Sequence, residues 1–304
     1  MRSRALRFLT TLLLAGPGGA HAGDYWSYQY KYLDVVASGT SQYAVNLAHN
    51  VDRLDRALRQ ILPLLAQKPV ATHIYVLSGG DLRRLGFAQD SSFYSSTGTD
   101  ATVVTAVREA PYQYWGAYFG YAGGLLETNG GARYPYWFYV GVPEVFADTE
   151  FRGDTIRTGG IAHGFGTELL HGSALFPMST FLALKGKDFA ALPQSQRSVF
   201  WAESWYVARE FLVEGKYRTE LKEYLTAMAG GASEADAFAS SFKMSHEQLD
   251  KVLAQVMYDR AHIYILNVPE DRSGDRDSPQ QLSEPELKSR LDALAGQFAS
   301  HAAH

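Results

Sequence analysis

The chain has 304 residues, 46% hydrophobic composition, no cysteine and a formal net charge of −4 from 28 basic and 32 acidic side chains. A chain of this length buries a large core without covalent staples, and the missing cysteine excludes both disulfides and lipidation of a cysteine. No cluster of Lys and Arg is present to follow a phosphate backbone, which argues against nucleic acid as a partner.

Residues 1–22, MRSRALRFLTTLLLAGPGGAHA, place Arg2, Arg4 and Arg7 around the start of an apolar stretch from Leu6 to Ala15 and close on Ala20-His21-Ala22. This is the pattern of a secretory signal peptide cleaved after Ala22, because the apolar stretch falls short of the roughly 20 residues that a membrane span needs. Cleavage removes three arginines and no acid, taking the net charge from −4 to −7. The expected location is periplasmic or secreted, with no stable membrane anchor.

Alternation predicts a strand over residues 26–36. Leu47, Val51, Leu54, Leu58, Ile61 and Leu65 recur at three- and four-residue spacing, which predicts an amphipathic helix over 46–65 that stops near Pro63. The β-branched run THIYVL, 72–77, reads as a strand closed by Gly79-Gly80, and residues 91–107 read as a hairpin around Gly98. Helices are expected over 114–128 and 136–149, separated by Asn129-Gly130-Gly131. Four more follow over 199–213, 218–228, 233–242 and 245–258, two of them opened by capping-box patterns at Ser233 and Ser245. Residues 262–268 read as a strand, 269–282 as a charged linker, and 283–304 as a terminal segment whose helix is capped by Ser283 with Pro285 and Glu286 in its first turn.

The stretch YFGYAGGLLETNGGARYPYWFYVGVPEVF, residues 118–146, resembles a segment of the peptidase-MA-like zinc metallopeptidase domains, the gluzincin type found in many exported bacterial proteins. Members of that family typically read H-E-Y-x-H, then an apolar turn, then P-x-W-F-x-E-G-x-A-E. Pro135, Trp137, Phe138, Gly141 and Glu144 match, as do Tyr121, Leu125 and Leu126. The chemistry does not: Phe119 and Gly123 stand at the histidine positions, Gly120 at the general base and Val140 at the third ligand. A phenyl ring, a hydrogen atom and an isopropyl group offer zinc no donor, and without the metal no hydroxide forms at neutral pH. The resemblance therefore implies no zinc, no cofactor and no catalytic residue.

What it implies for the fold is an α+β, thermolysin-like zincin architecture over residues 23–268. Such a fold has a small N-terminal sheet plus helix, a central pair of site helices and a C-terminal helical lobe. FWAESW, 200–205, is similar to the family's F-Y-A-x-S-W helix, and LSEPEL, 282–287, to the start of its trailing helix. Phe119 and Val140 are expected to pack where metal once sat. Gly120, Gly123 and Gly124 together cost a helix about 3 kcal/mol relative to alanine, and their bare backbone is expected to line the former cleft. Pro143 is foreign to the pattern, so the second helix is expected either to start late, near Gly141, or to kink.

The same residues admit other uses. HGFGTELLH places His163 and His171 around Glu168 without a four-residue helical spacing, so a solvated segment is the plainer account. Glu144 keeps a supporting position in the family motif and is read as a structural hydrogen bond or surface ion pair. Ser204 lacks any G-x-S-x-G context. The aromatic density from Tyr112 to Tyr139 serves core packing or a binding surface. Tyr118, Tyr121, Trp137, Tyr139 and Glu144 are the candidate contacts for a peptide, protein or glycan in the relic cleft. The alternatives are a hydrolase using Glu144, Glu168 and His171, and a scaffold acting through the C-terminal helix.

Overall fold

A computed structural model of the chain describes residues 24–62, 65, 69–130, 133–160, 174–213, 215–256, 263–274 and 277–302. In chain order the elements are β1 (Tyr25–Tyr30), β2 (Leu33–Ser38), α1 (Ser41–Ile61), β3 (Ala71–Leu77), α2 (Gly79–Arg84), β4 (Ser92–Ser96), β5 (Asp100–Ala106), α3 (Trp115–Gly130) and α4 (Tyr136–Ala147). There follow β6 (Glu150–Arg152), β7 (Thr155–Thr158), α5 (Met178–Ala183), α6 (Gly186–Ala191), α7 (Gln194–Leu212), α8 (Arg218–Ala229), α9 (Glu234–Phe242), α10 (His246–Val256), β8 (Tyr264–Asn267), β9 (Gln280–Gln281) and α11 (Glu284–Ala302). The fold is mixed α/β, with the larger sheet on the N-terminal side and helices prevailing toward the C-terminus. No helix among the described residues is long and apolar enough to cross a membrane.

The chain divides into two compact units, the first made of Met1–Arg56, Gln67–Thr128 and Pro269–His304, the second of Ala57–Ala66 and Asn129–Val268. A six-stranded sheet of order β4-β5-β3-β2-β1-β9 organises the first unit. β2, β3 and β5 run parallel, while β1, β4 and β9 pair antiparallel. Since successive strand residues point to opposite faces, each strand sorts its side chains between two helical layers. Tyr25, Val36, Leu77 and Val104 meet Leu291 and Leu294 of α11 on one face. On the other face the Tyr30 ring packs at a tilt on His49 of α1, and Tyr94, Val103 and Thr105 meet α3.

One strand was expected over residues 26–36; the chain instead reverses there, and β1 and β2 form a hairpin. Lys31 takes the turn with φ of 51°, in the left-handed region that non-glycine residues avoid. Its ammonium donates to Asp52 of α1 and to Asp271, both at 2.9 Å, so partners distant in sequence hold the turn. The segment read as a linker is anchored to this unit: Glu270 pairs with His49 at 2.7 Å, and Gln281 of β9 lies opposite Trp26 of β1.

In the second unit α4 lies along α7 at backbone distance. A methyl group at Gly141 would fall 2.0 Å from the Ser204 carbonyl oxygen, so only glycine fits there. α4 starts at Tyr136, with Pro135 at its N-cap, and Pro143 lies inside it; a late start at Gly141 is ruled out. A three-stranded sheet, β6-β7-β8, is tied to the end of α4 by Thr158, whose hydroxyl donates to the Val145 carbonyl at 2.9 Å. The core is aromatic: Trp137 meets Phe211 edge to face, and Phe181 packs on Phe200.

Candidate functional site

The helix that carries the motif, α3, turns its glycines toward the sheet. Methyl groups added to Gly116, Gly120 and Gly123 would lie 1.9 Å from Thr105 Oγ1, 2.4 Å from Val103 Cγ1 and 2.1 Å from Tyr94 Cε1. Carbon atoms in contact sit at about 3.5–4.0 Å, so no side chain larger than hydrogen fits at these positions without moving a strand residue. The glycines therefore face β4 and β5, and the expectation that they line an open cleft is corrected. Phe119, 1% exposed, shares this face: its ring stacks on Trp115 at 5.3 Å and lies 6.5 Å from Tyr94.

Tyr118 and Tyr121 point from α3 toward α1. The Tyr121 hydroxyl donates to Asp55 Oδ1 at 2.7 Å within the core, and Tyr118 stacks on Tyr114 at 5.7 Å. Burial raises both hydroxyls well above the ordinary tyrosine range. Near the end of the helix, Glu127 is pushed up to about 7 by burial alone.

The motif residues from Pro135 onward belong to the second unit. Val140 is buried in α4, Trp137 packs between Phe181 and Phe211, and Tyr139 lies 5.9 Å from Tyr134. Glu144 is buried and accepts a hydrogen bond from the indole N–H of Trp201 on α7. Each of the five residues proposed from sequence as binding contacts is no more than 8% exposed, so all serve the interior. Glu168 and His171, with His163, lie outside the described residues.

The donor set at the motif positions does not fit zinc. Phe119, Gly120, Gly123 and Val140 contribute no nitrogen, oxygen or sulfur from their side chains, and the steric closure at 120 and 123 leaves no space for one. No group of three or more His, Asp or Glu among the described residues is placed to hold a metal ion.

Exposed aromatic surface occurs at the start of α3 instead. Tyr112 is 38% and Val107 42% exposed; the Arg108 guanidinium sits 5.1 Å over the Trp115 ring, and Tyr43 of α1 stacks on Tyr114 at 5.0 Å. The Tyr43 hydroxyl donates to the Gln113 carbonyl at 2.7 Å and fixes the approach to the helix. Tyr112, Tyr114 and Trp115 belong to the aromatic run evident in the sequence, whereas Val107, Arg108 and Tyr43 lie outside it. Arg108 stands seven residues before Trp115, but the residues between them are not helical, so that spacing does not announce the contact, and Tyr43 reaches the ledge only through the fold.

No protein-family model matches the chain, and no curated protein is significantly similar to it.

Proposed function

We propose that this chain is a non-catalytic, peptidase-like binding protein of the cell envelope, built on a zincin-type frame whose metal site has been converted to packing. The observation that carries the reading is the contact between Gly123 and Tyr94: the second histidine position admits no side chain, so the helix face that would hold metal is closed by β4. Export rests on the composition of residues 1–22. The ligand, an extended peptide, a protein segment or a glycan, is assigned to the ledge of Val107, Tyr112 and Trp115. There Tyr112 supplies exposed aromatic area, and Arg108, held over the Trp115 ring, supplies a polar rim. A hydrolase working through Glu144, Glu168 and His171 has less support, because the Glu144 carboxylate is buried and engaged by Trp201.

Metal analysis and peptidase assays on the purified protein test the first half of this reading, and a panel of soluble peptides and oligosaccharides tests the second. The expected result is substoichiometric zinc, no chelator-sensitive hydrolysis, and binding that falls about tenfold in Tyr112→Ala or Trp115→Ala, the size of one lost aromatic contact. One equivalent of tightly held zinc with chelator-sensitive hydrolysis would overturn it.

A further inference from the structure

Glu203 lies in the middle of α7 and is fully buried. Its Oε2 accepts from the Phe176 backbone N–H at 3.0 Å, whereas Oε1 has no hydrogen-bond partner among the described residues. A carboxylate oxygen in that situation is costly, and native interiors rarely retain one without reason. Here it borders a cavity of about 30 Å³ whose walls include Phe176, Met178, Tyr206, Asp250 and Leu253. That volume exceeds what one water-sized group needs. Asp250 of α10 is half-buried, accepts from the Met178 N–H at 3.1 Å and stands beside exposed Ala254, which places the opening on its side. Burial raises the Glu203 carboxyl to about 8; the Phe176 N–H opposes the rise and the negative charge of Asp250 adds to it.

From the pairing of an unpartnered buried carboxylate oxygen with a second carboxylate across a small, apolar-walled cavity, we propose that this is a binding site for a primary ammonium group, held between Glu203 and Asp250. A divalent ion fits poorly. Calcium takes six to eight oxygens and magnesium a near-octahedral set, whereas this cavity offers two carboxylates and the Tyr206 hydroxyl oxygen, whose proton is given to the Leu253 carbonyl, among hydrocarbon walls. An alkylammonium matches both halves: its N–H donors meet the two carboxylates and the Tyr206 hydroxyl, the titratable groups of the lining, while its alkyl stem lies along Met178 and Leu253. The same head group is carried by free amines and by lysine side chains. The site lies wholly in the second unit and stands independently of the peptidase-like reading.

The test is side-chain carboxyl NMR on the full chain labelled at glutamate, titrated at pH 7.5 with methylammonium, n-butylammonium, tetramethylammonium and sodium. The expected result is a saturable shift of the Glu203 resonance with the two primary amines alone, and a Glu203 titration midpoint displaced downward by about one pH unit or more. Glu203→Gln is expected to weaken methylammonium binding at least about tenfold, as the loss of a charge-assisted contact implies, with Asp250→Asn weakening it less. Nα-acetyl-lysine amide against its Nε-acetyl form separates the two sources: binding of the former assigns lysine side chains, and binding of n-butylammonium alone assigns small amines. The proposal is overturned by the absence of a saturable shift up to about 100 mM methylammonium, below which even the weakest specific site would register. An equal response to tetramethylammonium or sodium, or undiminished affinity in a folded Glu203→Gln variant, overturns it as well.

Discussion

Replacing Gly123 by alanine sets two effects of opposite sign against each other. Alanine favours a helix interior by about 1 kcal/mol over glycine. The added methyl, however, would sit 2.1 Å from Cε1 of Tyr94, whose ring is 5% exposed and flanked by Phe119. Reaching an ordinary contact requires about 1.5 Å of movement in a close-packed interior, an overpacking cost of about 1–3 kcal/mol. Gly124 is the internal control. It lies in the same helix with the same propensity gain, but its methyl would rest 3.4 Å from Ala101 Cβ, within van der Waals reach. Urea denaturation should therefore place Gly123→Ala below Gly124→Ala by about 1–3 kcal/mol at unchanged m-value. In a Tyr94→Ala background, already weakened by about 3–5 kcal/mol, the Gly123 penalty should vanish and leave a coupling energy of the same 1–3 kcal/mol. A Gly123→Ala protein as stable as Gly124→Ala would refute the close approach of α3 to β4, on which the proposed function rests.

Other expectations follow from the same packing. The Glu203 carboxyl titrates near 8 in the folded chain against 4.5 for an unperturbed carboxyl, so between those values the folded state holds a proton that the unfolded state has released. Stability should fall by about 3–5 kcal/mol as pH rises through that window and level off above it; Glu203→Gln should match the wild type at pH 4.5 and exceed it at pH 8.5 in chemical denaturation. Trp201→Phe removes the indole donor to the buried Glu144 carboxylate and should cost about 1.5–3 kcal/mol by the same assay. Gly296 on α11 has open space where a methyl would go, so Gly296→Ala should raise stability by about 0.5–1 kcal/mol, seen as a higher midpoint without change of fold.

Periodicity located most of the elements. The helices expected over 114–128 and 136–149 are found at Trp115–Gly130 and Tyr136–Ala147, and the run expected over 72–77 is β3. Local signals failed where distant groups decide. The hairpin at Lys31 carries no glycine or asparagine, and its turn depends on Asp52 and Asp271, which lie 21 and 240 positions away. α1 begins at Ser41 rather than near residue 46 because Thr40 caps it, its hydroxyl accepting from the Tyr43 N–H at 3.2 Å without an acidic residue to advertise the cap. The short strands β6 and β7 have too few residues to show alternation, so they left no pattern to read. At the candidate site, the spacing of Gly116, Gly120, Gly123 and Gly124 places them on one helix face, yet spacing says nothing of what that face meets. Glu203 escaped notice for a related reason: within FWAESW it looks like an ordinary helix acid, and its burial is a property of the folded chain alone.

The closeness of α3 to the sheet bears on whether a metal site could be built here. Writing the H-E-x-x-H donors into the helix means placing imidazoles at 119 and 123 and a carboxylate at 120, on the face that touches Tyr94, Val103 and the Trp115 ring. At 120 and 123 those side chains need the helix to stand off from β4 and β5 by more than the present contact allows, whereas an imidazole at 119 is smaller than the phenyl ring it replaces. The gap would cost the dispersion contacts that now compensate three interior glycines, each about 1 kcal/mol worse than alanine in a helix. The glycines permit the contact, and the contact excludes any side chain at 120 or 123 that could bind metal. Substitutions that place donors at 120 and 123 would add bulk to a packed interface, which is why their effect belongs to stability before it belongs to catalysis.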